Sequence, residues 1–546
     1  MKDSDLNYSP QLVAGQGLEL LSITRGQRVA RARDDLFDLL VIGGGIHGVC
    51  LAKIAAQAGL SVLLLEQQDY ASGTSSRSSK MAHGGLRYLE MFDFEQVFEG
   101  IRAREALFER LPHLVRPERF LIPVPQGDLW LRFKLGVGLT LYDLFVRSKD
   151  RKHSWIPGTP DLFGGHRRLA GCYQYTDGLM SDSRLVFEFL VSAQALGCCA
   201  LNYAEVSQIV QHGNKSLSVS WRDRRAQRDF VSRARIVVNC AGPWAPYLHP
   251  PGGATPLPQV RYSRGSHLVF STPWRHPSLF LPLAEKGRYY FVWPHPSGTL
   301  VGTTEREVQD LCLDPIPSAD EVDEIVERLK RDLPDAQLTR DTLHYAFAGV
   351  RTLPMRDSRK GVSQLSRKHM WSFHGGVLTL LGGKYTTFAW TASEGARRAL
   401  DILGCADRRL PDPLSDLPSA MSDAARSELC DELCRLYPGH PAAVARAVQR
   451  MGNLTLRYHN RPDAWTEIAP GVLRLELLHA CEVEQAETIE DIIRRRVELE
   501  ATPSHGVEVL GRIEPLLTSW WGREAVTAEI VEFQDRMRRI DAICGK

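Results

Sequence analysis

The sequence predicts an α/β protein in three parts: a parallel-sheet domain opened by a βαβ unit, an antiparallel-sheet domain interleaved with it, and a C-terminal helical domain. Three observations carry this reading. A glycine-rich turn sits between two apolar runs near residue 40, apolar segments separated by Pro and Gly turns fill the middle of the chain, and helical stretches follow Pro411.

Residues 1–34 are polar, with several arginines between Arg25 and Arg33, and read as a mobile arm. Phe37–Ile42 is a short apolar run suited to a buried parallel strand. Val49–Ala58 then reads as a helix with Gly59 at its C-cap, and Ser61–Glu66 as the next buried strand. After the polar stretch Ser72–Lys80, apolar residues at Phe94, Val97, Phe98, Ile101 and Phe108 mark a helix over 94–111 that Pro112 ends. His267–Phe270, Arg288–Trp293 and Thr299–Gly302 form an antiparallel strand pattern. Gly375–Leu381 returns to a hydrophobic strand followed by glycines and a helix. Asp423–Leu436 is helical up to Tyr437-Pro-Gly, and Thr488-Ile-Glu-Asp491 resembles a capping box. The predicted boundaries are an arm over 1–34, a domain over 35–405 whose antiparallel part occupies roughly 120–170 and 255–345, and a helical domain over 406–546.

Composition narrows the function class. The 546 residues carry Lys+Arg 67 against Asp+Glu 65, a net charge of +2 that lacks the basic excess of a general nucleic-acid binder. The 11 cysteines show no CxxC pair and no metal-ligand spacing, and read as reduced thiols of a cytosolic-type compartment. No apolar stretch is long enough to span a bilayer, and no secretory signal is visible at the N-terminus.

The sharpest motif is Gly43-Gly-Gly45-Ile46-His47-Gly48, a G-x-G-x-x-G turn that follows a strand and opens a helix. Gly43 permits the tight turn, Gly45 lets backbone approach a pyrophosphate, and Gly48 lets helix and strand pack closely. The helix N-terminus attracts phosphate, and Glu66, ending the next strand, suits ribose hydroxyls. An acid there disfavours a 2′-phosphate and so argues against NADP, but leaves NAD and FAD both open.

A second segment separates them. Thr74-Ser-Ser-Arg-Ser-Ser-Lys-Met-Ala-His-Gly-Gly-Leu-Arg-Tyr-Leu-Glu90, together with Val41-Ile-Gly-Gly-Gly45, closely resembles FAD-dependent glycerol-3-phosphate dehydrogenases. Shorter matches follow in order: Asn239-Cys-Ala-Gly-Pro-Trp244, Arg264-Gly-Ser-His267, Val301-Gly-Thr-Thr304, Gly349-Val-Arg351 and Gly382-Gly-Lys-Tyr-Thr-Thr387. The resemblance covers roughly residues 36–400 strongly and the helical tail loosely. It implies an FAD-binding Rossmann-type domain, oxidation of sn-glycerol 3-phosphate to dihydroxyacetone phosphate by hydride transfer to flavin N5, and delivery of electrons to a membrane quinone. The chain departs from the family pattern at Cys240, at Glu305 and at Thr352, where Ala, Asp and Pro are usual.

On this resemblance the cofactor residues are Gly43, Gly45, Ile46, His47, Gly48, Glu66, Thr74, Ser75, Ser76, Lys80, His83, Gly84, Gly242, Gly382, Gly383, Lys384 and Thr386. A dianionic substrate needs fixed cations, and the planar fork of arginine matches phosphate oxygens. Arg351 and Lys384 are the expected catalytic and substrate cations, joined by Arg87, Tyr88 and Arg367, while His83 is the candidate acceptor of the hydroxyl proton. His267, beside Ser266, lacks a nucleophile elbow and is expected to pack or hydrogen-bond at the sheet.

Trp130–Phe145 mixes apolar bulk with Arg132 and Lys134, and Arg147 and Lys149 follow. Two readings stand: a buried or partner-facing helix, or one lying in a membrane interface. The resemblance implies the second, with the protein cytoplasmic and peripheral on the inner face of the cell membrane. The alternative function is an FAD oxidase of another small anionic hydroxy or amino substrate using oxygen; a flavin-binding scaffold is the third. For the C-terminal domain, capping the site, forming a homodimer and contacting a partner stay open.

Overall fold

The computed structural model describes residues 17–86, 93–158, 160–163, 168–213, 216–248, 258–282, 288–355 and 368–546. The βαβ unit is β1 (Leu36–Ile42), α1 (Ile46–Gln57) and β2 (Val62–Leu65). β1 pairs in parallel with β2 on one side and with the strand Arg228–Asn239 on the other. The full order is Met370–His374, Val377–Leu381, Arg228–Asn239, β1, β2, Cys199–Leu201, and an antiparallel hairpin of Ala204–His212 and Ser216–Asp223 extends from Arg228–Asn239. Strands buried on both faces of such a sheet need apolar residues at every position rather than at alternate ones, which is why Leu39–Val41 and Val62–Leu65 are continuous apolar runs, all buried. α1 is buried nearly all round, because it lies between this sheet and the helices Asp182–Ala195 and Phe388–Ile402.

The second sheet has 10 strands, drawn from 81–82, 115–180 and 260–354, slightly wider than the sequence suggests. One of its two longest pairings joins Val260–Phe270 to Leu343–Pro354 and sets Ser263 opposite Arg351 and Gly265 opposite Gly349. One pair, Ser278–Pro282 with Val115–Pro125, is parallel.

Within the expected N-terminal arm, residues 25–34 form a helix rather than a loose segment. Thr24 and Gln27 close a capping box at its start. Arg25 donates to Asn202 Oδ1 (3.1 Å) and Asp223 Oδ1 (3.0 Å), and Ala32 packs with Phe37 and Trp221. The segment reads as polar because its arginines have distant acceptors that sequence spacing does not reveal.

The C-terminal part contains helices at Asp423–Leu436, Pro441–Met451, Arg474–Glu482, Leu510–Trp521 and Arg523–Cys544. Its capping box forms: Asp491 N–H donates to Thr488 Oγ1 and Thr488 N–H to Asp491 Oδ2, both at 3.1 Å. Ile489, Ile492, Ile493, Phe533 and Ile540 share one apolar core with Val322, Leu343 and Tyr345 of the antiparallel-sheet domain. Among the described residues no helix is long and apolar enough to cross a membrane.

Candidate active site

The glycine turn is shaped by close backbone contacts. Gly43 has φ +105°, and a Cβ there would lie 2.5 Å from the Cys240 carbonyl oxygen. A Cβ on Gly48 would lie 1.9 Å from the Gly43 carbonyl oxygen, so the third glycine is fixed by packing behind the turn. Gly45 is the N-cap of α1 and supplies no side chain; Ser75 Oγ accepts instead from Ile46 N–H at 3.0 Å. Glu66 accepts from Gly44 N–H (2.6 Å) and Gln68 N–H (2.9 Å), and burial raises its pKa. Each carboxylate oxygen keeps a second lone pair for ribose hydroxyls.

The facing wall is also glycine-built: Gly382 at φ +73° and Gly383 at φ +117°, where a Cβ would meet His47 Nε2 at 2.9 Å. Thr74 Oγ1 donates to the Val350 carbonyl (2.7 Å), and His83 N–H donates to Thr386 Oγ1 (3.1 Å). Gly43, Gly45, Ile46, His47, Glu66, Thr74, Ser75, His83, Gly242, Arg351, Gly382, Gly383, Lys384 and Thr386 thus line one cleft between the two sheets. The cleft fits a flavin dinucleotide: a side-chain-free turn at a helix N-terminus, an acid at the adjacent strand end, and a second glycine wall opposite.

Other expected residues stand outside it. Lys80, at φ +52°, pairs with Asp182 at 2.7 Å rather than lining the cleft. Gly84 donates its N–H to Asp177 Oδ1 (2.9 Å), and a Cβ there would strike the Tyr142 hydroxyl. Ser76 and Gly48 do not line the cleft either. Arg87, Tyr88 and Arg367 lie outside the described residues.

A smaller cavity adjoins the cleft and shares Ser79, Met81, His83 and Arg351 with it. Arg351 Nη2 donates to Thr303 Oγ1 (3.2 Å), and its guanidinium occupies the space that a side chain at Gly265 would need, with Nη2 2.6 Å from the Cβ position. Arg288, Thr303 and Tyr289 also line this cavity and were not legible as site residues. The one signal was a cation heading an apolar strand. His267 packs behind the wall: its ring stacks on Phe347 at 4.9 Å and meets Ser79 Oγ at 2.9 Å. Burial, then Arg351 and Lys80, push its pKa down to about 3, which keeps it neutral.

The comparisons agree with this geometry. Residues 38–390 match the FAD dependent oxidoreductase family, and the chain belongs to it. A glycerol-3-phosphate dehydrogenase from Synechocystis is 31% identical over 539 residues, spanning 92% of this chain and 96% of that protein. The aerobic glycerol-3-phosphate dehydrogenase of Bacillus subtilis is 30% identical over 67% of each chain. Within the FAD family, then, the chain belongs with the glycerol-3-phosphate dehydrogenases. The fold also matches the Bacillus halodurans glycerol-3-phosphate dehydrogenase complexed with FAD, at TM-score 0.73 and 23% identity, covering 95% of this chain and 97% of the other. A weaker match is the L-alpha-glycerophosphate oxidase of Mycoplasma pneumoniae, at TM-score 0.52 and 16% identity, over 69% and 96% of the two chains. FAD is accordingly the cofactor.

Proposed function

We propose that this protein oxidises sn-glycerol 3-phosphate at C2 to dihydroxyacetone phosphate and passes the electrons to a membrane quinone. The observation that carries the reading is Arg351, which lines both the cofactor cleft and the adjoining cavity. Bound FAD supplies the hydride acceptor at N5. The protein supplies the rest. Arg351 and Arg288 face the small cavity with two guanidinium groups, enough to hold a phosphate dianion in place. His83 lines both spaces and is anchored through its backbone by Thr386, which suits it to accept the hydroxyl proton. Lys384, beside Gly383, brings a further cation to the cofactor side.

The helix Leu129–Asp143 supports attachment to the inner face of the membrane. Trp130 is 72% exposed and Phe133 63%, and Leu129 and Val137 extend the same apolar face. Arg132 and Lys134 lie beside them to meet anionic headgroups.

Anaerobic reduction of the flavin by glycerol 3-phosphate tests the substrate. The oxidised flavin band is expected to bleach, and Arg351→Ala to slow bleaching by about 100-fold, the scale of losing one charge-stabilising donor. A flavin that dithionite reduces but this substrate does not would sink the assignment. Reoxidation by a quinone analogue faster than by oxygen identifies the acceptor.

A further inference from the structure

The C-terminal domain supplies no residue to the lining of the cofactor cleft, yet three consecutive arginines from it engage Asp69 and Asp314, the two carboxylates that hold one wall. Asp69 lies three residues past Glu66 and is fully buried. Its Oδ2 accepts from Arg495 Nε at 2.6 Å and also from Arg496 Nη1, and its Oδ1 accepts from Arg496 Nη2 at 2.8 Å. Both arginines are themselves anchored within the C-terminal domain, Arg495 on Asp491 and Arg496 on the Glu484 carbonyl (2.7 Å).

The other end of the wall segment is held through a second carboxylate. Arg77 follows the turn Thr74–Ser76 and donates to the Ser72 carbonyl (3.0 Å) and to Asp314 Oδ1 (2.6 Å). Asp314 in turn accepts from Arg494 Nη1 at 3.2 Å and from Arg536 Nε at 2.8 Å, the latter on the last helix. Between these two anchors, Tyr70 packs against Gly44 and meets Gln485 Oε1 (3.3 Å), and Ala71 N–H donates to the Gly44 carbonyl (3.1 Å). Ser72, Thr74 and Ser75 belong to the stretch so pinned, Glu66 lies three residues before it, and all four line the cleft.

We propose that the arginine triplet Arg494–Arg496 is a brace for cofactor retention: the C-terminal domain holds the 66–80 segment in its FAD-binding geometry through Asp69 and Asp314. The chain can close on FAD without the brace, but the wall segment then opens more readily and the cofactor leaves faster. These arginines are positioning residues, acting through carboxylates that do not touch the cofactor. Two forked guanidinium groups on one buried carboxylate fix direction as well as charge, which a lysine does not reproduce. The inference rests on the FAD cofactor and not on the choice of substrate.

The test measures release of FAD from the holoprotein on dilution, followed by flavin fluorescence. It compares Arg495→Lys and Asp314→Asn with Arg426→Lys. Arg426 is a buried C-terminal arginine that donates to the Val448 carbonyl (2.8 Å) and the Ser419 carbonyl (3.0 Å) and touches neither anchor nor the triplet, so it reports general loosening of the domain. The expected result is release at least tenfold faster for Arg495→Lys and several-fold faster for Asp314→Asn, with Arg426→Lys within twofold of the parent. Equal acceleration in all three, or unchanged release in the first two, overturns the proposal. Should Arg495→Lys fail to fold, Asp314→Asn decides alone, because Asp314 is a third exposed and less dependent on burial. Flavin bleaching by glycerol 3-phosphate in the FAD-loaded variants is expected to stay at the parent's rate; failure of the substrate reading would show there and leave the release rates untouched.

Discussion

The βαβ unit and the C-terminal junction sit against the same cofactor wall but are held by different forces. In the βαβ unit the work is done by apolar burial and by glycines that let backbones touch: Leu39, Val41, Val49 and Leu64 are buried, and Gly48 leaves no room for a Cβ. At the junction the contacts nearest the wall are ionic. Asp69, Arg495 and Arg496 are all 2% exposed or less. Burying such charges gains little net stability, because desolvation offsets attraction, but losing one partner leaves an uncompensated charge. The difference teaches that the first region tolerates conservative apolar changes, whereas the second is intolerant of single charge deletions and gains geometric definition in return.

Three perturbations probe that contrast, in descending order of effect. Asp69→Ala removes the buried carboxylate that Arg495 and Arg496 share, and a stability loss of about 3–5 kcal/mol is expected in urea unfolding of the holoprotein; a loss under 1 kcal/mol would remove the ionic half of the comparison. Gly48→Ala forces a methyl group against the Gly43 carbonyl, which cannot yield without opening the turn. We expect about 1–3 kcal/mol lost and weaker FAD binding in a fluorescence titration, whereas Val49→Ala, a cavity change in the same helix, should lower stability without a matching loss of FAD affinity.

The smallest effect is expected from protons. Against the upward push of burial, Arg536, Arg494 and Arg495 hold the Glu490 carboxyl down to about 2. A carboxylate whose folded pKa lies below its unfolded value of 4.5 stabilises the protein above that value, and the contribution fades as pH falls from there toward 2. The melting temperature of Glu490→Gln should therefore lie below that of the parent at pH 6, with the gap narrowing steadily as pH falls from 4.5 toward 2. A gap that stays constant would show that Glu490 contributes by packing rather than by charge.

The two regions also differ in how far they can be read from residues alone. Phe37–Ile42, Gly43–Gly48 and Glu66 announce themselves by local pattern, since their roles depend on neighbours within one βαβ unit. The same holds for Asp423–Leu436 and for the Thr488–Asp491 box, where the caps lie three residues apart. Arg25–Asp34 escaped because its partners, Asn202 and Asp223, are nearly two hundred residues away. The motif points Lys80 at the cofactor, whereas its ammonium group pairs with the buried Asp182. Arg288 carries no motif, and only the closure of the antiparallel sheet brings it beside Arg351.

What the sequence determined by itself is the fold class and the dinucleotide turn, because glycine placement, apolar runs and a strand-end acid act over a few residues and leave a local trace, whereas FAD rather than NAD rests on the family resemblance of the Thr74–Glu90 segment. What the tertiary structure decided is which cations share the small cavity and how Arg494, Arg495 and Arg496 reach Asp69 and Asp314. Those contacts join residues hundreds of positions apart, and a charge carries no mark of its partner until burial brings the two together.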